Sequence, residues 1–321
     1  MRYRRLGRTG IEVSEIGYGA WGIGGILWRG GSDDDATAAL RRAFDLGLNF
    51  IDTALVYGEG HSEQLVGGIA PKGVAIATKV PPKNRLWPAR PGIGIEEVFP
   101  YDYVMQCTDE SLGNLKRDHV DLQQLHVWNP EWLNQDDWRR AFEDLKKSGK
   151  ARHVGVSLNN HDPDSALELM RTGLIDTVQV IYNIFDQSPG AKMLPLAAEL
   201  GVGVLARVPL DEGALTGTIT EQTTFEEGDF RARYFRGDRK REVVEHVEAL
   251  RRDLKGADGT LPQIALRYCL SNPGVSTVIP GMRSIRNVEA NCAASDAGPL
   301  GASVLAILKH HAWERDFYAG W

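Results

Sequence analysis

Eight times along this chain a short apolar run is followed by a longer amphipathic one, and that alternation constrains the fold more than any single motif. The apolar runs cover residues 15–20, 48–52, 74–80, 120–127, 151–157, 177–183, 202–207 and 275–281. They are rich in Val, Ile and Leu and bounded by Gly, Pro or polar residues, as strands buried on both faces are. Helical segments are expected between them. The segment 33–46 opens on a Ser-Asp-Asp cluster suited to an N-cap and closes on Gly47. Segments 62–69, 103–115, 134–147, 163–171, 190–200 and 262–270 follow the same logic. A β-α order repeated eight times predicts a parallel sheet with helices outside. In 321 residues it fits one closed (β/α)8 TIM barrel, α/β in class, better than a doubly wound sheet.

The remaining length is localised. Residues 1–14 are expected to form a hairpin around Arg8-Thr9-Gly10 that closes the bottom of the barrel. Residues 81–102 and 208–240 are long loops after the third and seventh strands, and a tail runs from Leu300 to Trp321. Such insertions fall where they could wall a pocket at the strand C-termini. No linker, fixed repeat or low-complexity stretch suggests a second domain, so a single domain over 1–321 is expected.

Composition removes several classes of function. With 42% hydrophobic and 25% charged residues the chain can bury a full core. Its formal charge of −6, with Arg239-Lys240-Arg241 as a short basic run, does not predict a nucleic-acid surface. The N-terminal stretch lacks the apolar region of an export signal, and no segment is apolar enough to span a membrane. Cys107, Cys269 and Cys292 are widely spaced, show no zinc pattern and read as reduced thiols. A cytoplasmic protein without a metal site is expected. Its oligomeric state is not legible.

The chemistry is expected at the strand ends. Asp52, Lys79, His126, Ser157, Gln179 and Arg207 each close a strand-like run. In a barrel these six converge on one mouth, where barrel enzymes place their active sites. Any one of them could simply cap a helix; six in succession form a pattern. A lysine at the end of a buried strand needs an anion or a shifted proton affinity. Asp52 supplies the anion, and Lys79 so held would favour the phenolate of Tyr57, five residues beyond Asp52. Tyr57 could then exchange a proton with a carbonyl oxygen while His126, as a neutral ring, orients that oxygen. These residues supply no electrons, so a reduction needs a cofactor. The chain has no GxGxxG between a strand and a helix, which argues against a Rossmann site.

The segments GYGAWGIGG (17–25), NFIDTALVYGEGHSE (49–63), IATKV (76–80) and VDLQQLHVW (120–128) resemble the aldo-keto reductases. So do GKARHVGVS (149–157), VQVIYN (178–183), PLDEGALTG (209–217) and STVIPGMRSIRNVEAN (276–291). The resemblance spans nearly the whole chain. It implies a (β/α)8 barrel that reduces aldehydes or ketones with NADPH, less often NADH, and a tetrad of Asp52, Tyr57, Lys79 and His126 with Tyr57 as proton donor. It also implies cofactor contacts from Gly19, Ala20, Trp21, Asp52, Ser157, Gln179, Leu210, Gly213 and Leu215. At the adenosine end it adds Gly281, Arg283, Asn287 and Asn291, with Arg283 the candidate for a 2′-phosphate. The family's Ser-Asn pair is interrupted here by Leu158, which leaves Asn159 as a substitute. Where many members stack an aromatic ring on the nicotinamide, this chain has Arg207, whose guanidinium can also stack and whose charge disfavours the oxidised ring. Trp21, Tyr57, Trp87, His126 and Trp128 are the expected walls of a pocket for a small carbonyl substrate. Two rivals remain at this level: a Schiff-base lyase using Lys79, and a regulatory subunit of the same fold that keeps the cofactor.

Overall fold

The computed structural model describes residues 1–319; Gly320 and Trp321, the end of the expected tail, lie outside the described residues. The N-terminal hairpin pairs β1 (Tyr3–Arg5) with β2 (Glu12–Ser14) in antiparallel register, Arg4 opposite Val13. Eight parallel strands follow: β3 (Tyr18–Gly19), β4 (Phe50–Asp52), β5 (Ala75–Val80), β6 (Val120–Leu125), β7 (Ala151–Ser157), β8 (Thr177–Ile181), β9 (Gly203–Arg207) and β10 (Thr277–Val278). Each pairs with the next, and bridges Ile16–Val278 and Gly19–Gly281 join the first to the last. The result is the expected barrel, with every expected strand centred on an observed one. Helices alternate with the strands and cover the outside.

Side chains alternate between the two faces of a strand, and here the inward row changes chemistry along its length. Phe50, Ala75, Ala77, Leu122 and Leu205 fill the lower barrel together with Leu6 and Val13 of the hairpin. The hairpin therefore plugs the bottom, held there by Arg8 N donating to Gly201 O at 2.7 Å. One step up, the same rows present Asp52, Lys79, Gln124, Ser157, Gln179 and Arg207. The apolar floor fixes the barrel, and the polar layer above it is free to carry chemistry.

The expected helices also form, with shifts at their ends. Asp33–Asp45 is capped by Ser32, whose side chain accepts from Asp35 N. The segment expected from 134 begins instead as a 3-10 turn, Pro130–Asn134, and becomes α-helix over Asp137–Lys147. The tail folds back on the loop after β9. Arg315 forms an ion pair with Asp211 in which both side chains are nearly buried, and Trp313 stacks on His246 at 3.8 Å.

Candidate active site

β4, β5 and β6 place two expected residues, Asp52 and Lys79, side by side with Gln124, which the sequence reading did not single out, in the same inward layer. Lys79 and Asp52 are 1% and 3% exposed. Lys79 Nζ donates to Asp52 Oδ2 at 2.7 Å, to the Thr53 carbonyl at 2.7 Å and to Tyr57 Oη at 3.4 Å. Gln124 Nε2 holds the other Asp52 oxygen at 3.3 Å. Tyr57 reaches this group from the turn after β4, which is fixed by close backbone contact. A Cβ on Gly58, at φ +66°, would lie 2.1 Å from Gly24 O, so only glycine lets the tyrosine turn dock on the loop after β3. His126 follows β6, with its ring centroid 5.6 Å from that of Tyr57.

Burial dominates the proton affinities. It disfavours the charge on Lys79, but Asp52, joined by Tyr57, outweighs it and raises the ammonium above its ordinary value. His126 is pushed well below its ordinary value, first by burial and then by Lys79 and Arg207, so it is neutral near pH 7. Tyr57 departs from expectation. Burial raises its hydroxyl above the ordinary value, and Lys79 only partly offsets that. The ammonium therefore moderates Tyr57 without making it a phenolate. The group is a proton carrier, which is what a donor must be before it acts.

The site opens into a cavity of about 1130 Å³ lined by residues from the loops after most barrel strands. Trp21 and Trp87 line it, as expected. Trp21 sits edge-on to Trp28 and Phe230 at 5.5 and 4.8 Å, and Trp87 edge-on to His126 at 5.9 Å. Trp128 does not. It is fully buried, donates to Ser165 O at 3.2 Å and packs edge-on against Trp132 and Trp138. β6 ends at Leu125, so the inward alternation lapses before Trp128. Ala20 and Leu215 are likewise fully buried behind the wall, whereas Gly19, Leu210, Gly213, Gly281, Arg283, Asn287 and Asn291 line the cavity.

Several lining residues have other work. Asn159 accepts from Ala89 N at 3.0 Å and donates to Trp128 O at 3.1 Å, bracing two loops. Arg283 donates to Arg29 O at 2.7 Å and lies over Trp28, tying the loop after β3 to the loop after β10. The sequence reading missed Glu212, Phe230, Arg231, Arg286 and Tyr318, all of which line the cavity. The Asp-Glu pair within an apolar, glycine-flanked loop was a signal for Glu212. Nothing local marked Tyr318.

Glu212 is bound at 2.5 Å by the Tyr318 hydroxyl, and burial, its largest influence, pushes its carboxyl up to about 7. Between the ordinary carboxylate range and pH 7 the folded state binds more protons here than the unfolded chain, so stability falls as pH rises through that window. Replacing Glu212 by Gln should remove that decline. At pH 8 the variant should be more stable by about 1–3 kcal/mol and at pH 4 nearly equal, as thermal denaturation across pH would show. An equal difference at both pH values would contradict this.

The fold that holds this cavity has counterparts among known proteins. Residues 15–312 match the model of the Aldo/keto reductase family. The chain belongs to that family. It is 32% identical over 302 residues to Aldo-keto reductase YhdN of Bacillus subtilis, covering 90% of this chain and 87% of that protein. The NADH-specific methylglyoxal reductase of Escherichia coli is 29% identical over 307 residues, 90% of this chain and 92% of that one. Among solved structures, aldo-keto reductase AKR11C1 from Bacillus halodurans in its holo form superposes with a TM-score of 0.75 at 30% identity, covering 97% and 96% of the two chains. Aldo/keto reductases are oxidoreductases that generally reduce carbonyls with a nicotinamide cofactor. No helix among the described residues is long and apolar enough to cross a membrane.

The residues present suit such a cofactor. Gln179 Oε1 is buried without a partner beside Ser157, its neighbour in register, and a carboxamide would satisfy it. Around Gly281 and Gly213, a Cβ would meet nothing within 4 Å, and Gly213 at φ +107° exposes bare backbone to the cavity. Ser284 caps the helix Ile285–Ala297, whose first-turn Arg286 also lines the cavity.

Proposed function

We propose that the protein is an NADPH-preferring carbonyl reductase in which Tyr57 delivers the proton. The carrying observation is the buried contact of Lys79 with both Asp52 and the Tyr57 hydroxyl at the cavity floor. When bound, the dihydronicotinamide supplies a hydride. Ser157 and Gln179 would hold its carboxamide, and Gly213, Leu210 and Gly281 its phosphate-bearing middle, with Asn287 and Asn291 at the adenosine end. Arg283 and Arg286 would hold the 2′-phosphate.

Tyr57 and neutral His126 bind the substrate oxygen as donors. As negative charge grows there, the Tyr57 proton moves to it, and the ammonium of Lys79 stabilises the phenolate left behind. Asp52 keeps Lys79 charged. That charge disfavours a Schiff base, which needs a neutral amine. The aromatic wall of Trp21, Trp28, Trp87 and Phe230 excludes water and suits a small, largely apolar carbonyl compound. We place the enzyme in the cytoplasm, acting on free small molecules.

The test is consumption of NADPH and NADH with a panel of aldehydes and ketones. Turnover should be faster at low NADPH than at equal NADH. Replacing Arg283 or Arg286 by Ala should weaken NADPH by about 10–100-fold and NADH far less. Absence of any carbonyl-dependent oxidation would refute the function; equal loss for both cofactors would remove the arginines from the 2′-phosphate.

A further inference from the structure

We infer that Arg207 makes this site discriminate between the two oxidation states of a nicotinamide cofactor, holding the reduced form more tightly. The inference rests on the proposed reductase reading and adds a specific role for one residue.

Arg207 ends the inward row of β9, above Gly203 and Leu205, and lines the cavity. Its Nη2 donates to two neutral acceptors, Leu158 O at 3.0 Å and Asn160 Oδ1 at 2.8 Å. Its Nε is buried and has no partner. Among the described residues no carboxylate forms an ion pair with it. The guanidinium is thus fixed in place within the cavity wall by neutral acceptors. It lines the same cavity as Tyr57 and His126, whose proton affinities its charge lowers, so it faces the space where the substrate carbonyl must sit. Glu212 also feels it, but that carboxyl is engaged by Tyr318 and is not within ion-pair distance.

A hydride donor must come within roughly 3–3.5 Å of the carbonyl carbon. A nicotinamide ring therefore changes its charge close to Arg207. The reduced ring is neutral and π-rich, a favourable neighbour for a cation. The oxidised ring carries a positive charge, and two like charges in a partly desolvated site repel. The reduced cofactor would load readily and the oxidised product would leave readily. Linkage requires a matching cost: the hydride-transfer equilibrium on the enzyme shifts back toward reduced cofactor, while the overall equilibrium is unchanged.

The experiment is a titration of protein fluorescence with NADPH and NADP+ separately, without substrate, for the natural protein, Arg207→Lys and Arg207→Gln. The natural protein should bind NADPH more tightly. Arg207→Gln should lower the ratio of the two dissociation constants by about tenfold, equal to about 30 mV in the potential of the bound couple, and Arg207→Lys should retain most of it. A merely structural arginine would weaken both forms alike and leave the ratio unchanged, which overturns the inference. So would an unchanged ratio accompanied by a raised KM for 2-oxo acids alone, since that assigns the cation to substrate carboxylates. Failure of the natural protein to bind either cofactor would instead refute the reductase reading, and this inference with it.

Discussion

Replacing Tyr57 by Phe should lower turnover by about 10²–10⁴-fold while leaving the dissociation constant for NADPH within about threefold, since the wall the ring forms is kept. The reason lies in where the proton is stored. Burial holds Tyr57 in its neutral form, and Lys79 stands 3.4 Å from its oxygen, ready to stabilise the phenolate that the transfer creates. Phenylalanine fills the same space beside Trp21 and His126 but carries no proton. His126, neutral and buried, could donate a hydrogen bond to the substrate but would become an anion on giving up that proton. Cofactor titration and steady-state rates on the same preparation separate the two effects. Turnover within tenfold of the natural enzyme would show that the proton comes from elsewhere.

Replacing Lys79 by Met should both destabilise the protein and remove turnover, and the two effects should part company in a double variant. The Lys79–Asp52 pair is almost wholly buried at 2.7 Å. Removing the cation leaves a buried carboxylate whose remaining side-chain partner among the described residues is Gln124 at 3.3 Å, a situation that costs about 3–5 kcal/mol. Asp52→Asn combined with Lys79→Met removes both charges and should recover most of that loss in chemical denaturation. It should recover none of the turnover, because nothing would stabilise the Tyr57 phenolate. The sign of the pH dependence follows from the raised lysine. The pair's stabilisation is present below the ordinary lysine value of 10.5 and is lost only as pH rises through the still higher folded value. A double variant as unstable as Lys79→Met alone would mean that packing, and not charge, sets the cost.

Strand positions and the polar layer above the barrel floor were legible in the sequence because both depend on local periodicity. Period-two alternation puts Asp52, Lys79 and Gln179 on the inward face as soon as their runs are recognised as strands, and parallel register then brings them to one level. That reasoning stops where a strand stops. Trp128 lies two residues past His126, yet β6 has already ended, and its ring packs outside the barrel with Trp132 and Trp138. Asn159, expected to touch cofactor, does line the cavity, and its amide also joins Ala89 to the Trp128 carbonyl, a contact between distant loops that no local pattern signals.

Local sequence, then, determined the barrel, its apolar floor, and the side chains that meet above it, since each follows from the neighbours of a residue along one strand. Tertiary structure alone decided how acidic those groups are and what encloses them. Tyr57 is governed by desolvation, which depends on everything packed around it, so the expected lowering by Lys79 is overridden. Glu212 meets Tyr318 across 106 positions of chain, and Arg315 meets Asp211 across 104. Contacts of that separation have no periodicity to betray them, because they arise from the folding of long loops and a tail onto a surface that exists only once the barrel has closed.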